Sequence, residues 1–151
     1  MPSFDDPMLM REVIMDHYQY PRNHELVQDD ARYEQVNMNS STCIDNIDVQ
    51  AYIDQDTIQD IRFDGEACAI CTASTSIMTE LLKGKSVEEA KAIIDQYMNM
   101  IYERPYDPEV LDEAIVFKNT HKQAKRIKCA TLGWNAMKKI INHETGGDED
   151  D

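Results

Sequence analysis

The strongest constraint on the fold of this chain is a change of hydrophobic period near its middle. From Ile47 to Ile53 apolar and polar side chains alternate, which is the period-2 pattern of a strand with one buried face. After residues 64–66 the apolar side chains recur every three or four positions instead, which indicates helices. Strands followed by a block of helices favour an α+β fold, in which helices cover one face of an antiparallel sheet.

The pattern resolves into separate elements. We predict a helix over residues 6–20, strands over 33–38, 47–53 and 58–63, helices over 70–84 and 87–101, a short helix from residue 107, and a last helix that begins at Cys129 after a polar stretch at 118–126. Ile58 is out of phase with Ile61 and Phe63, which predicts a bulge in the third strand. Ser86 and Glu89 form the sequence of a capping box. The predicted fold class is therefore α+β, with a three-stranded antiparallel sheet packed against a layer of helices and an N-terminal helix.

Charge and hydropathy exclude several classes of function. The chain has 151 residues and a formal net charge of −14, which nucleic-acid phosphates would repel. No apolar run approaches the roughly 20 residues that cross a bilayer, and the first residues lack the features of a signal peptide. We expect a cytoplasmic protein that binds neither nucleic acid nor membrane. A single domain is predicted over residues 1–145, with a disordered acidic tail at 146–151.

The cysteines are the candidate chemical groups. Cys43 lies in the loop before the central strand, Cys68 in the turn that leaves the third strand, and Cys129 at the predicted start of the last helix. Asp45 follows Cys43 by two residues, so in extended chain both side chains point the same way. Three thiolates and a carboxylate suit tetrahedral zinc, and thiolates also bind iron–sulfur clusters. Small buried cysteines that only fill a core are the alternative, and spacing alone does not separate the two.

Four local segments carry a resemblance to a known family. FDGEACAICTAS at residues 63–74 resembles the F-x-G-x-G-C-x-I-S-x-A-S segment of the IscU/SufU/NifU-N-terminal family, and RIKCATLGW at 126–134 resembles its third-cysteine segment. STCID at 41–45 stands where the family usually has N-P-x-C-G-D, and DHYQYPRN at 16–23 is similar to its D-H-Y-x-x-P-R-N opening. The resemblance spans residues 8–143 in consistent order. Lys128, where IscU-type scaffolds usually have His, and an apparent insertion at 99–112 favour the SufU branch.

The resemblance implies a fold, a chemistry and partners. It implies the IscU-type (SufE/NifU-like) fold and a zinc-dependent sulfurtransferase, or sulfur carrier, of iron–sulfur cluster assembly. Cys43 would accept persulfide sulfur from a pyridoxal-phosphate cysteine desulfurase of the SufS type, for delivery towards downstream Fe–S scaffold proteins. Zn²⁺ would be bound by Cys43, Asp45, Cys68 and Cys129. Two alternatives remain open: a scaffold that assembles a [2Fe–2S] cluster on the same ligands, and a module in which zinc only stabilises the fold.

The sequence also departs from the family pattern. Ile44 replaces the usual glycine between Cys43 and Asp45, and Ala67 replaces a glycine beside Cys68. Cys71 replaces a serine and creates a Cys-x-x-Cys pair with Cys68. An alternative ligand or a redox partner is conceivable, but the pattern favours a buried serine substitute, because no thioredoxin-like βαβ unit surrounds the pair.

Histidines are weak candidates for ligands. His17 lies near the apolar stripe of the first helix, so we expect it to be packed. His121 precedes the third cysteine by eight positions and is a secondary candidate for approach to the site. His24 and His143 are expected at the surface.

Overall fold

The computed structural model describes residues 6–40, 44–142 and 147–149, the last three through their backbone only. The elements in chain order are α1 (Pro7–Gln19), β1 (Tyr33–Ser40), β2 (Asn46–Asp54), β3 (Thr57–Glu66), α2 (Ala69–Leu82), α3 (Val87–Ile101), three 3₁₀ helices (Pro108–Val110, Asp112–Phe117 and Thr120–Lys122), α4 (Ala124–Ile141) and β4 (Gly147–Glu149).

The first three strands form an antiparallel meander with one buried face. Val36 pairs with Val49, and Val49 pairs in turn with Phe63, so these buried side chains line up on the same face. Helices α2 and α4 pack together, and both contact the sheet. The predicted α+β class, with helices over a three-stranded antiparallel sheet, is confirmed.

The β2–β3 connection shows how the hairpin forms without glycine. Gln55 and Asp56 both have positive φ, 52° and 62°, as a two-residue turn between twisted strands requires. The pairing then shifts, because Tyr52 opposes Asp60 whereas Ile53 opposes Ile58. One residue of β3 is therefore extra, and the predicted bulge is confirmed.

A fourth strand extends the sheet beyond β1. The order is β3-β2-β1-β4, and β4 runs parallel to β1, with Met38 opposite Gly147 and Ser40 opposite Glu149. The sequence predicts a disordered tail over residues 146–151, and the structure differs for these three residues. Residues 146–151 are all glycine or acidic, so they show no alternation of apolar and polar side chains that would predict a strand. Backbone pairing at a sheet edge does not require apolar side chains. The domain boundary itself stays a prediction.

Local capping sets the ends of the helices. Asp6 caps α1 by accepting a hydrogen bond from the Met8 N–H at 2.9 Å. Ser86 and Glu89 form the predicted capping box of α3, with both reciprocal hydrogen bonds present. Among the helices that the structure describes, none is both long and apolar enough to span a membrane.

The last helix begins earlier than the sequence predicts. α4 starts at Ala124, so Cys129 is its sixth residue and lies in the second turn. The sequence predicts a polar connection before Cys129, but Lys and Arg are good helix formers, and here they supply the exposed first turn of α4. The expectation that Cys129 begins a helix is wrong, whereas Cys68 does stand directly before α2, as its N-cap.

Candidate metal centre

Three of the four predicted ligands meet at one end of the sheet. One ligand atom from each of Asp45, Cys68 and Cys129 lies within 4.8 Å of the other two. Asp45 immediately precedes β2, Cys68 caps α2, and Cys129 comes from α4. The fold thus joins residues that are up to 84 positions apart in the chain (129 − 45).

The fourth predicted ligand, Cys43, lies outside the described residues. Its neighbours are placed in contrasting surroundings, since Ile44 is 70% exposed whereas Asp45 is 1% exposed. The backbone N–H of Ser40 donates to the carbonyl oxygen of Asp45 at 2.9 Å. This hydrogen bond closes the base of the β1–β2 connection and fixes Asp45 next to the sheet.

The Asp45 carboxylate is bound to the residue that carries the second ligand. Its Oδ1 accepts a hydrogen bond from the backbone N–H of Cys68 at 2.7 Å, and the Cys68 thiol lies 3.7 Å from Oδ2. A buried carboxylate needs such partners, because an ion without them is costly to remove from water. The loop before β2 and the start of α2 are therefore joined through the candidate ligands themselves.

Cys68 is electrostatically prepared to ionise. A hydrogen bond from the Cys129 thiol is the largest influence and lowers the pKa of Cys68, while burial opposes it. The N–H groups of Cys71 and Ile70 at the start of α2 lower the pKa further, and the negative charge of Asp45 raises it. The result is a pKa of about 7, well below the usual value of a cysteine. Metal binding requires the thiolate, so this shift favours coordination.

Cys129 is presented by the body of α4. Its side chain is 4% exposed, and its thiol lies 3.7 Å from the carbonyl oxygen of Lys125, one turn earlier. Arg126 is exposed on the same helix and Lys128 is half-buried. These cations would partly offset the excess negative charge of a site with four anionic ligands.

A buried polar cluster beneath the site has no counterpart among the sequence predictions. The Ser74 hydroxyl donates to the carbonyl oxygen of Ala130 at 2.6 Å, and the Tyr97 hydroxyl donates to the same oxygen at 2.8 Å. The Trp134 indole donates to Ser74 at 3.0 Å and stacks on the Tyr97 ring, with centroids 3.8 Å apart. Because Ala130 follows Cys129, this cluster fixes the position of α4 along its axis relative to α2. Polar residues on the apolar faces of these helices were the available signal.

Helices α2 and α4 also approach closely at a glycine. A side chain added at Gly133 would overlap the side chain of Thr75. The small residue therefore lets the two helices that carry Cys68 and Cys129 pack tightly together.

Cys71 and His17 are buried and do not belong to the ligand group. Cys71 is fully buried, as its interpretation as a serine substitute requires. His17 is 1% exposed, and its ring nitrogens contact Ser76 at 2.8 Å and Glu113 at 3.1 Å, which confirms that it is packed.

The other histidines give no fifth ligand among the described residues. His121 faces Glu103 at 3.7 Å, and it is absent from the one ligand group that the described residues form. His24 pairs with Asp64 at 3.3 Å, and His143 lies outside the described residues.

The donor set fits a thiophilic metal ion. Two sulfurs and a carboxylate oxygen in close proximity are ligands of tetrahedral zinc, with room for one further donor. Thiolates equally suit iron–sulfur clusters, so the donor types do not distinguish a zinc ion from an iron–sulfur cluster.

Comparison with known proteins gives the family. The family model described as NifU-like N terminal domain matches residues 9–144 of this chain. The zinc-dependent sulfurtransferase SufU of Bacillus subtilis is 39% identical over 140 residues, covering 92% of this chain and 93% of that protein. The iron–sulfur cluster assembly scaffold protein IscU of Streptococcus pyogenes is 41% identical over 135 residues, covering 88% and 82%. A putative SUF-system scaffold protein from Fervidobacterium islandicum superposes with a TM-score of 0.79 at 30% identity, covering 86% of this chain and 94% of that one. This chain belongs to the NifU-like N-terminal domain family.

Proposed function

We propose that this chain is a zinc-dependent sulfurtransferase of iron–sulfur cluster assembly that accepts persulfide sulfur on Cys43. The observation that carries the proposal is the cluster of Asp45, Cys68 and Cys129, with ligand atoms within 4.8 Å of one another. The Bacillus subtilis relative, whose name describes the same activity, supports the choice of zinc.

Cys43 is within reach as the fourth ligand. Two residues of chain span at most about 7 Å, so the backbone of Cys43 stays close to that of Asp45. Ile44, the described residue next to Cys43, is 70% exposed, so a second protein can approach the chain at this residue. Zinc in the site would hold Cys43 as a thiolate until the donor arrives.

The transfer is a thiolate–persulfide exchange. The Cys43 thiolate attacks the outer sulfur of a persulfide on the cysteine desulfurase. The sulfur–sulfur bond of that persulfide breaks, and the cysteine of the desulfurase leaves as a thiolate. Cys43 then carries the persulfide. Asp45, Cys68 and Cys129 keep the ligand cluster in place and do not themselves receive sulfur in this scheme.

The test is desulfurase turnover with and without this protein. A pyridoxal-phosphate desulfurase of the SufS type converts cysteine to alanine, and its turnover should rise when the zinc-loaded chain removes the persulfide. Cys43→Ala should abolish the stimulation. Cys71→Ser is the matched control, since it also removes a thiol but lies outside the ligand cluster, and under reducing conditions it should stimulate like the wild type.

The same experiment discriminates the alternatives. The relative from Streptococcus pyogenes is named a scaffold, and a brown protein isolated with stoichiometric iron would favour that function here. Unchanged desulfurase turnover in the presence of zinc-loaded protein would leave only a structural role for the metal.

A further inference from the structure

Cys71 is a second thiol next to a candidate metal ligand. Among the three cysteines that the structure describes, it is the one that does not belong to the ligand cluster. Cys68 is the N-cap of α2, and Cys71 is the third residue of that helix. The pair therefore spans the first turn of α2, and only Ala69 and Ile70 separate the two cysteines in the sequence.

The two cysteines are already in contact through their local geometry. The backbone N–H of Cys71 donates to the Cys68 sulfur at 3.4 Å. Cys68 has extended backbone angles, φ −69° and ψ 170°, which fold its side chain back over the helix start. The Cα–Cβ bond of a helical residue tilts towards the N-terminus, so the side chain of Cys71 leaves the backbone towards the same end.

The accessibility of the two thiols is asymmetric. Cys68 is half-buried, whereas Cys71 has no exposed surface. A small oxidant in solvent therefore meets Cys68 first, and Cys71 is shielded from direct attack. An accessible thiol beside a protected one is the arrangement in which a first oxidation product is resolved within the protein.

We propose that Cys68 and Cys71 form an oxidisable dithiol that closes to a disulfide when the site is exposed to a hydroperoxide. Hydrogen peroxide oxidises the Cys68 thiolate to sulfenic acid and is itself reduced, releasing hydroxide. The Cys71 sulfur then attacks the Cys68 sulfur, the S–OH bond breaks, and water leaves as the Cys71 proton is taken up. Overall, two thiols and one peroxide give one disulfide and two waters.

Cys129 is the competing partner for oxidised Cys68, since its ligand atom also lies within 4.8 Å. Local tethering favours Cys71. It is joined to Cys68 by two intervening residues and by the N–H···S contact, whereas Cys129 belongs to another helix. The Cys129 thiol also hydrogen-bonds to the Cys68 sulfur, so the experiment has to distinguish these two partners.

Disulfide formation would remove one metal ligand. A disulfide sulfur is not a thiolate, so the site would lose affinity for zinc until the bond is reduced. This consequence rests on the proposed function, but the pairing of Cys68 with Cys71 does not.

The pairing can be mapped by mass spectrometry of metal-free protein treated with hydrogen peroxide, denatured, alkylated and digested with trypsin. Cleavage after Arg62 and Lys83 places both cysteines on the peptide 63–83, while Cys129 lies on 129–138. We expect peptide 63–83 to be lighter by two hydrogens and unalkylated, with Cys129 alkylated. Joining of 63–83 to 129–138, or to the Cys43 peptide 33–62, as the main product would overturn the proposal. Full alkylation of both cysteines on 63–83 would overturn it as well.

Two variants sharpen the result. Cys129→Ser should still form the internal disulfide, whereas Cys71→Ser, which restores the serine usual in the family, should lose it. With Cys129 replaced by Ser in both proteins, Cys68 should reach sulfinic acid more extensively when Cys71 is also replaced by Ser, because unresolved sulfenic acid is oxidised further. The sulfinic acid is measured as the addition of two oxygens to peptide 63–83, and equal amounts in both proteins would contradict a resolving role for Cys71. None of these measurements uses a desulfurase, so a failure of sulfur transfer would not be confused with a failure of the dithiol.

Discussion

Replacement of Asp45 separates its two roles, as a metal ligand and as the hydrogen-bond acceptor that anchors Cys68. Asp45→Asn keeps an oxygen that can accept from the Cys68 N–H, now at 2.7 Å, but removes the negative charge. Asp45→Ala removes both. Because the residue is 1% exposed, water would not easily replace the lost acceptor in the alanine variant.

The expected magnitudes follow from these contacts. A buried N–H left without a partner costs about 1–3 kcal/mol, so metal-free Asp45→Ala should be less stable than metal-free Asp45→Asn by that amount. At this chain length the difference corresponds to roughly 2–4 °C in Tm for each kcal/mol. Both variants lose an anionic ligand, and both should bind zinc at least about tenfold more weakly than the wild type.

Thermal unfolding of the three metal-free proteins, combined with competition for zinc against a chromophoric chelator, measures both quantities. The asparagine variant has a further signature: the charge of Asp45 raises the pKa of Cys68, so its removal should lower that pKa further. Wild-type zinc affinity in Asp45→Asn would refute the assignment of Asp45 as a ligand. Equal stability of the two metal-free variants would refute the anchoring role.

Three further predictions concern charge and backbone. In the metal-free protein, the rate of alkylation of Cys68 should rise with pH through a midpoint of about 7, below the pKa of about 8.5 of an unfolded cysteine. Because the pKa is lower in the folded protein, the free energy of unfolding should increase as the pH rises between these two values. An alkylation midpoint at the unfolded value would contradict this prediction. Burial raises the pKa of Asp60, but hydrogen bonds from Tyr33, Arg62 and Lys83 outweigh it and leave the pKa below the usual value. The stability that Asp60 contributes should therefore be lost as pH falls below about 4, and denaturant titrations should show a smaller loss in Asp60→Asn. Gly65→Ala should lower the free energy of unfolding by more than the roughly 1–3 kcal/mol of backbone strain, because the added Cβ, at a φ of 132°, would also overlap the Asn46 carbonyl. Gly84→Ala is the matched control in the same unfolding assay, because Gly84 also has positive φ (86°) but has open space around it.

The sequence predicted the parts of the fold that depend on periodic burial. Alternation from Ile47 to Ile53 and the phase break at Ile58 were enough to predict β2 and the bulge in β3, because each reports which face of a strand is buried. The capping box at Ser86 was equally local. The start of α4 was predicted too late, since its first turn is solvent-exposed and carries no apolar signal.

The site was predicted differently from the fold. Spacing could not bring Cys68 and Cys129 together, and the resemblance of the surrounding segments supplied that step. The polar cluster of Ser74, Tyr97 and Trp134 went unpredicted because its members come from three helices. A polar residue on an apolar helix face signals that a buried partner is needed, but no pattern within one helix identifies that partner. Burial raises the pKa of Tyr97 far above its usual value, so its hydroxyl stays a donor to Ala130.

X-ray absorption at the zinc edge of the purified, zinc-loaded protein measures the number and type of the metal ligands directly. If Cys43, Cys68, Cys129 and Asp45 bind one ion, the spectrum should fit three sulfur neighbours at about 2.3 Å and one oxygen at about 2.0–2.2 Å. The Cys43→Ala variant should lose one sulfur from that shell. A shell with two sulfurs in the wild type, or no change on removal of Cys43, would contradict the account.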